Sequence, residues 1–286
     1  MHRNVNMRRS ATHPNTDPPQ HVLVTGATGG IGLGICHALA ESARRDGRTL
    51  RLTAASSGPG DRLNSLVNDL QQAGVEAHGV FGDVTVPEQC HALVAQTIAA
   101  GGDLTALVCV AGASGPGHLA DLPVEQWDLT FHLNTRAVWL LARAARESLL
   151  RMRGSITAVA SMSGLHPHPG YGAYSPAKAA LVMLCRQLAQ EWGPDGIRTN
   201  SVCPGMIRTP LTEGVYQDEE TRCQREALVP LGRIGRPDDI GQAVAYLTSE
   251  AASYVNGMSL VVDGGVSDHM LSMIPGRPGR PPVGSV

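Results

Sequence analysis

Residues 21–32 read H-V-L-V-T-G-A-T-G-G-I-G. The run 21–26 is short and apolar, ending in glycine, which predicts a buried strand. Ile31, Ile35, Ala38 and Leu39 then recur at helical spacing and predict a helix over 31–45. Between them lies the turn from Thr25 to Gly32. A strand, a glycine turn and a helix N-terminus together form a phosphate cradle. The first backbone N–H groups of the helix have no intrahelical acceptor, and glycines let a pyrophosphate come close. Glycine-rich turns are common, so the position of this one, between strand and helix at the start of the folded region, is what makes it informative.

The alternation continues outward from that turn. Strands are predicted over 49–54, 75–81, 104–111, 154–160, 197–203 and 259–262. Helices are predicted over 61–73 (ended by Gly74), 87–100, 123–150, most of 170–192, and 237–248, with a less regular stretch up to Ile234. Strands separated by helices of this length imply a parallel sheet covered on both faces. The handedness of β–α–β crossovers makes it doubly wound. The expected class is therefore α/β: a Rossmann-like doubly wound parallel sheet of about seven strands, in a single domain over 21–266. Residues 1–20 are polar and read as a disordered leader. Residues 267–286, ending P-G-R-P-G-R-P-P-V-G-S-V, read as a tail or an arm that orders against another subunit.

Bulk properties narrow the function. The chain has 286 residues, 42% hydrophobic and 17% charged, enough for one large α/β core. A net charge of −2 gives no sign of a nucleic-acid or membrane-surface partner. No apolar run reaches membrane-spanning length, and the leader lacks the apolar core of a secretory signal, so a cytoplasmic location is expected. Cys36, Cys90, Cys109, Cys185, Cys203 and Cys223 form no C-x-x-C pair and mostly sit in apolar runs. Reduced, buried thiols fit better than disulfides. The histidines do not fall at metal-ligand spacing with them, and no metal site is expected.

The chemistry concentrates in 161–178, S-M-S-G-L-H-P-H-P-G-Y-G-A-Y-S-P-A-K. Tyr174 and Lys178 are four apart and share a face if this segment is helical. A phenol ordinarily ionises near pH 10, and an ammonium one turn away favours the phenolate. Ser161 ends the apolar run I-T-A-V-A, and the loop after it can return its hydroxyl to the phenol. A hydroxyl, a tunable phenol and a fixed cation suit proton transfer to or from an alcohol or carbonyl oxygen. A bare Y-x-x-x-K pair, however, is ordinarily a surface pair on a helix, so the rest of the chain has to carry the reading.

The glycine turn, the Ser161…Tyr174…Lys178 spacing and Pro204-Gly205 occur in order on the right elements. Jointly the chain resembles the short-chain dehydrogenase/reductase family, in its single-domain T-G-x-x-x-G-x-G branch, over roughly residues 20–266. The resemblance implies a seven-stranded Rossmann sheet, a nicotinamide dinucleotide, and a homotetramer or dimer. It implies that Tyr174 is the acid–base group. Lys178 would lower its pKa and bind the nicotinamide ribose. Ser161 would orient the substrate oxygen, and Asn134 in H-L-N-T-R-A would hold a relay water. Gly26, Gly30 and Gly32 match the family's glycines, with Thr28, Gly29 and Ile31 in the same turn around the pyrophosphate. Asp83 and Val84 match the adenine-contacting pair. Ala111 and Gly112 match the end of the fourth strand. Pro204, Gly205, Ile207 and Thr209 match the segment holding the carboxamide.

The sequence also departs from that pattern. The usual N-N-A-G is C-V-A-G, Cys109 to Gly112, so the sheet brace given by the asparagines must come from elsewhere. Ala137 replaces a glycine. Pro176 requires the catalytic helix to begin close to Tyr174 or to kink. At the end of the second strand Ala54 stands where NAD-preferring members carry an acid, while Ala55 and Gly29 stand where NADP-preferring members carry a base. A missing carboxylate no longer repels a 2′-phosphate, and Ser56, Ser57 and Arg62 could bind one. NADP(H) is therefore favoured over NAD(H), although the two serines also fit an ordinary turn.

Tyr171, His168 and Met206, with Ser161 and Tyr174, are expected around the substrate, and 206–231 is expected to form a mobile lid. His166 and His168 also read as solvated loop residues, the three tryptophans as packing, and Arg208 as a surface charge. The main reading is an oxidoreductase moving hydride between NAD(P) and a secondary alcohol or ketone, 3-oxoacyl-reductase-like or small alcohol/sugar dehydrogenase-like. The alternative is a non-catalytic dinucleotide-binding sensor or scaffold, since the fold alone does not define activity. A dehydratase or epimerase, with no net change in the nicotinamide, is a third.

Overall fold

The computed structural model describes residues 19–274. Its strands are β1 (Gln20–Thr25), β2 (Leu50–Ser56), β3 (Glu76–Phe81), β4 (Ala106–Cys109), β5 (Ser155–Val159), β6 (Arg198–Pro204) and β7 (Ser259–Val262). They form one seven-stranded sheet in the order β3-β2-β1-β4-β5-β6-β7. Every neighbouring pair is parallel, with Val22 opposite Leu52 on one side of β1 and Ala106 on the other. The order reverses between β1 and β4, which opens a crevice at the carboxyl ends of those strands.

Helices cover both faces, as a buried parallel sheet requires. On one side lie α1 (Gly30–Arg45), α2 (Asp61–Gln72) and α9 (Pro237–Thr248). On the other lie α3 (Pro87–Gly101), α5 (Ala137–Met152) and α6 (Tyr174–Trp192). The strands divide their side chains accordingly. Val22 and Val24 of β1 pack with Ile35, Leu66 and Val244, whereas Leu23 packs with Leu93, Leu141 and Leu181. This is the period-two alternation of a strand, here apolar in both directions. Cys36, Cys90, Cys109, Cys185 and Cys203 are buried in these layers as free thiols, and Cys223 is exposed.

The predicted helix over 123–150 is instead two helices. α4 (Val124–Phe131) passes through a wider π-type turn, His132–Arg136, before α5 begins at Ala137. Asn134 lies in that turn. An inserted wide turn has no signature in apolar spacing, and such turns often mark functional positions. The predicted helix over 170–192 starts only at Tyr174, which puts Pro176 in its first turn, where no backbone donor is lost. The stretch 206–231 contains α7 (Glu213–Tyr216) and α8 (Glu219–Leu228), the latter capped by the Asp218 carboxylate accepting from Thr221 N at 2.8 Å. Trp127 and Trp139 are 37% and 40% exposed, and Trp127 packs on Phe131 with ring centroids 5.2 Å apart. Residues 1–18 and those after 274 lie outside the described residues. Gln20 already belongs to β1, and Val266–Asp268 and Met270–Met273 form 3-10 turns where a tail was expected.

α1 and α9 approach closely because glycine faces glycine. A β-carbon at Gly241 would lie 2.5 Å from the Gly34 carbonyl oxygen and 2.7 Å from the Ala38 β-carbon. Gly241→Ala is therefore expected to destabilise the fold by roughly 1–3 kcal/mol, the usual range for overpacking. A lowered urea midpoint with an unchanged slope would show it, and an unchanged midpoint would contradict it.

Candidate active site

The glycine turn closes by steric necessity. Gly26 has φ +64°, and a β-carbon there would lie 2.7 Å from Ala111 N at the end of β4. A β-carbon at Gly32 would collide with the Gly26 carbonyl oxygen. α1 thus starts directly beneath the turn, and no side chain caps its N-terminus. Thr28, Gly29, Gly30 and Ile31 lie between these two points. An open helix end with uncapped N–H groups beside glycine fits a pyrophosphate. Thr209 and Pro210 lie across it: a β-carbon at Gly30 would be 2.7 Å from the Thr209 β-carbon. The segment after Pro204 and Gly205 therefore rests on the glycine turn. Thr209 is fixed there by Thr212, whose Oγ1 accepts from Thr209 N at 2.9 Å and donates to Ile207 O at 2.9 Å. The missing asparagine brace has a substitute in Thr25, whose hydroxyl accepts from Val110 N at 3.3 Å.

Four expected site residues converge at the carboxyl end of β4 and β5. Lys178 is 3% exposed, and its Nζ donates to the Val159 carbonyl at 2.9 Å. Asn134 is fully buried, with Nδ2 donating to Ala113 O at 2.9 Å and Thr130 O at 3.0 Å. Its Oδ1 is buried with no hydrogen-bond partner. Gly112 forms the floor between them, since a β-carbon there would lie 2.7 Å from Asn134 Oδ1 and 3.2 Å from Lys178 Nζ. Ser161 follows β5, and its Oγ accepts from Ser163 N at 3.0 Å. That oxygen also interacts with the Tyr174 phenol.

The electrostatics differ from the expectation on one point. Burial holds the Tyr174 phenol above its ordinary range, the Ser161 hydroxyl pulls the other way, and Tyr171 adds to the rise. The Lys178 ammonium stands 5.7 Å from the Tyr174 ring centroid. Burial also draws Lys178 itself down, to about 8. Burial raises the phenol and lowers the ammonium, so both groups are drawn toward their neutral forms.

The remaining expected positions divide. Ala54 is fully buried, so no polar group at the end of β2 reaches the surface from it. Ser56 does not offer its hydroxyl outward, because it donates to the Gly58 carbonyl within its own turn. Ser57 and Arg62 are exposed. Asp83 accepts from Thr85 N at 2.8 Å and Thr85 Oγ1 at 2.7 Å, shaping the turn after β3 with Val84 buried beneath. His168 is not a solvated loop residue. Its Nδ1 is 2.9 Å from Ser163 Oγ, and its ring stacks on Tyr171 at 3.9 Å. It borders cavities of about 610 and 230 Å³ on either side of the loop, and His166 borders both as well. Met206 lies apart, in a separate 90 Å³ cavity with Leu231 and Asp263. Arg208 pairs with Glu213 at 2.6 Å, a surface ion pair. Sequence reading passed over Ser163 and Thr25, whose only signals were a serine two places after Ser161 and a threonine ending an apolar strand.

With this geometry in view, comparison with known proteins places the chain. Residues 28–267 match the family model described as enoyl-(acyl carrier protein) reductase. An L-rhamnose 1-dehydrogenase (NAD(P)(+)) from Sphingomonas is 36% identical over 86% of this chain and 95% of its own length. A cyclopentanol dehydrogenase from Comamonas testosteroni is 36% identical over 85% and 95%. Among solved structures, an actinorhodin polyketide ketoreductase with NADPH has a TM-score of 0.80 at 32% identity, covering 87% of this chain and 98% of that one. The chain belongs to the short-chain dehydrogenase/reductase family and is an oxidoreductase of that family.

Lys178 yields a pH-dependent prediction. Its folded pKa of about 8 lies below the ordinary lysine value of 10.5, so the unfolded chain binds the extra proton between those values. Stability therefore rises with pH through that window, and below pH 8 the buried charge costs a few kcal/mol, on the order of 3. Lys178→Met is expected to be more stable than the parent at pH 7 by up to that amount, with the difference shrinking above pH 8. Urea unfolding of the nucleotide-free protein at pH 7 and pH 10 checks this; a gap that widens with pH would refute it.

Proposed function

We propose that this protein moves hydride between NADP(H) and a secondary alcohol or ketone, with Tyr174 handling the proton. The observation that carries the reading is the convergence of the Tyr174 and Ser161 hydroxyls with a buried Lys178 and the unpartnered Asn134 Oδ1, beside the glycine turn. When bound, the nicotinamide supplies or accepts the hydride. Ser161 Oγ holds the substrate oxygen. In oxidation Tyr174 takes the hydroxyl proton as the C–O bond becomes a carbonyl, and in reduction it returns one. Lys178, near 8, exchanges its proton close to neutral pH and can relay as well as hold charge. The Asn134 oxygen, lacking a protein donor, suits a bridging water next to it.

The relatives support the substrate class by their names, which describe oxidation of a sugar hydroxyl and of a cyclic secondary alcohol. Within that class the reading is 3-oxoacyl-reductase-like or small alcohol/sugar dehydrogenase-like. NADP(H) is favoured because no carboxylate stands at Ala54, and NAD(H) is the alternative. The same reading places a single catalytic domain over 21–266 in the cytoplasm, as a homotetramer or dimer. Assembly is supported by α4, which has no buried residue and leaves Val124 69% and Leu129 50% exposed. Among the described residues no helix is long and apolar enough to cross a membrane.

Tyr174→Phe is expected to cut turnover by roughly 10²–10⁴-fold while nucleotide affinity stays put. Unchanged turnover would leave the non-catalytic sensor or scaffold as the better account. Arg62→Ser is expected to raise the KM for NADP several-fold, on the order of a lost charge-assisted hydrogen bond, without moving that for NAD. Parallel kinetics with both nucleotides read this out, and equal effects on the two would remove Arg62 from the site.

A further inference from the structure

Resting on the oxidoreductase reading, one hydroxyl outside the four expected site residues bears on where Asn134 stands. The wide turn His132–Arg136 closes with Ala137 N donating to His132 O, five residues back. The extra residue in the turn swings successive side chains out of the register of α4 and α5. Asn134 goes inward, to Ala113 and Gly112. Thr135, next in the chain, goes to α6, where its Oγ1 donates to Ala177 O at 2.7 Å.

The accepting carbonyl belongs to the peptide that joins Ala177 to Lys178, and both residues are buried. The same stretch of α6 is met by Gly164, where a β-carbon would lie 2.8 Å from the Lys178 carbonyl oxygen. Lys178 therefore leaves α6 from a backbone that is bonded to the turn carrying Asn134. Their side chains meet again at Gly112, 2.7 Å and 3.2 Å from the point a β-carbon there would occupy. Asn134 Nδ2 is committed to Ala113 O at 2.9 Å and Thr130 O at 3.0 Å, which leaves Oδ1 facing that space without a partner. These bonds fix the amide within its own turn. How that turn sits against Lys178 is a matter of its seat on α6, and the Thr135 hydroxyl joins those two elements directly.

We propose that Thr135 is a positioning residue for proton transfer. Its bond to Ala177 O holds the π-type turn on α6, so that Asn134 Oδ1 and Lys178 Nζ stand at the spacing needed to pass on the proton that Tyr174 takes up or gives.

The test uses the full-length enzyme with NADP(H). The probes are cyclohexanol, sorbitol and ethyl lactate, with the matching ketones cyclohexanone, fructose and ethyl pyruvate. Thr135→Val keeps the shape and removes the donor, and Thr135→Ala is a second donor-free variant. Each is expected to cut the single-turnover rate of the nicotinamide about tenfold, with the KM values for nucleotide and probe unmoved. The solvent deuterium isotope effect should rise, because proton transfer becomes the slower event. Thr135→Ser, which returns the hydroxyl, should restore most of the rate. In an Asn134→Ala background Thr135→Val should add no further loss, because it acts through that amide. A bond that merely fastens two helices predicts an unchanged isotope effect and losses that multiply in the double variant. That pattern, or a parental rate in both donor-free variants, would overturn this inference and leave the oxidoreductase reading standing. No nicotinamide turnover by the parent enzyme with any probe would defeat both.

Discussion

Lys178 donates to the Val159 carbonyl from a position 3% exposed, and this bond ties the start of α6 to the end of β5. Tyr174 lies one turn before it on the same helix, and Ser161 lies two residues past the accepting carbonyl on the strand. The placement of phenol against serine is thus tied to one hydrogen bond from a buried ammonium. Burying an ammonium is unfavourable, and its fall to about 8 measures that tension. Groups held against their own solvation are found where chemistry is done.

A second constraint is steric and acts on the other wall. Gly26 lets β4 come against the turn after β1, and Gly32 lets α1 begin directly under it. Gly112 then keeps the space between Asn134 and Lys178 clear of any side chain. These glycines act by the room they leave, so the surface at this crevice is made of backbone. The π-type turn at His132–Arg136 belongs to the same corner, because it aims Asn134 across at Gly112 and away from the helix axis.

Around this rigid floor the walls are built from less regular chain. The loop after Ser161 is stitched by Ser163, His168 and Tyr171, and it pairs with the 117 region through Gly117 N to Gly170 O at 2.9 Å and Gly172 N to Gly117 O at 2.9 Å. The 206–231 segment rests on the glycine turn through Thr209. Fixed chemistry on strand ends with selectivity on loops is the usual division in open α/β sheets. It is consistent with relatives of this chain carrying the names of quite different alcohols.

The chain alone determined the alternation of strands and helices, the glycine turn, and the spacing of Ser161, Tyr174 and Lys178. These are local: apolar periodicity and short motifs write them directly, and α9 and β7 begin and end where the pattern puts them. Pro176 narrowed the helix to a start near Tyr174 or a kink, because proline lacks a backbone donor, and the fold takes the first of these. Only the tertiary structure decided the π-type turn at Asn134, the turn-bound hydroxyl of Ser56, the separation of Met206 from His168, and the rise rather than fall of the Tyr174 phenol. Each of these depends on what packs against the residue from distant chain, and on how much water that packing removes. Desolvation and through-space charge have no period along a sequence.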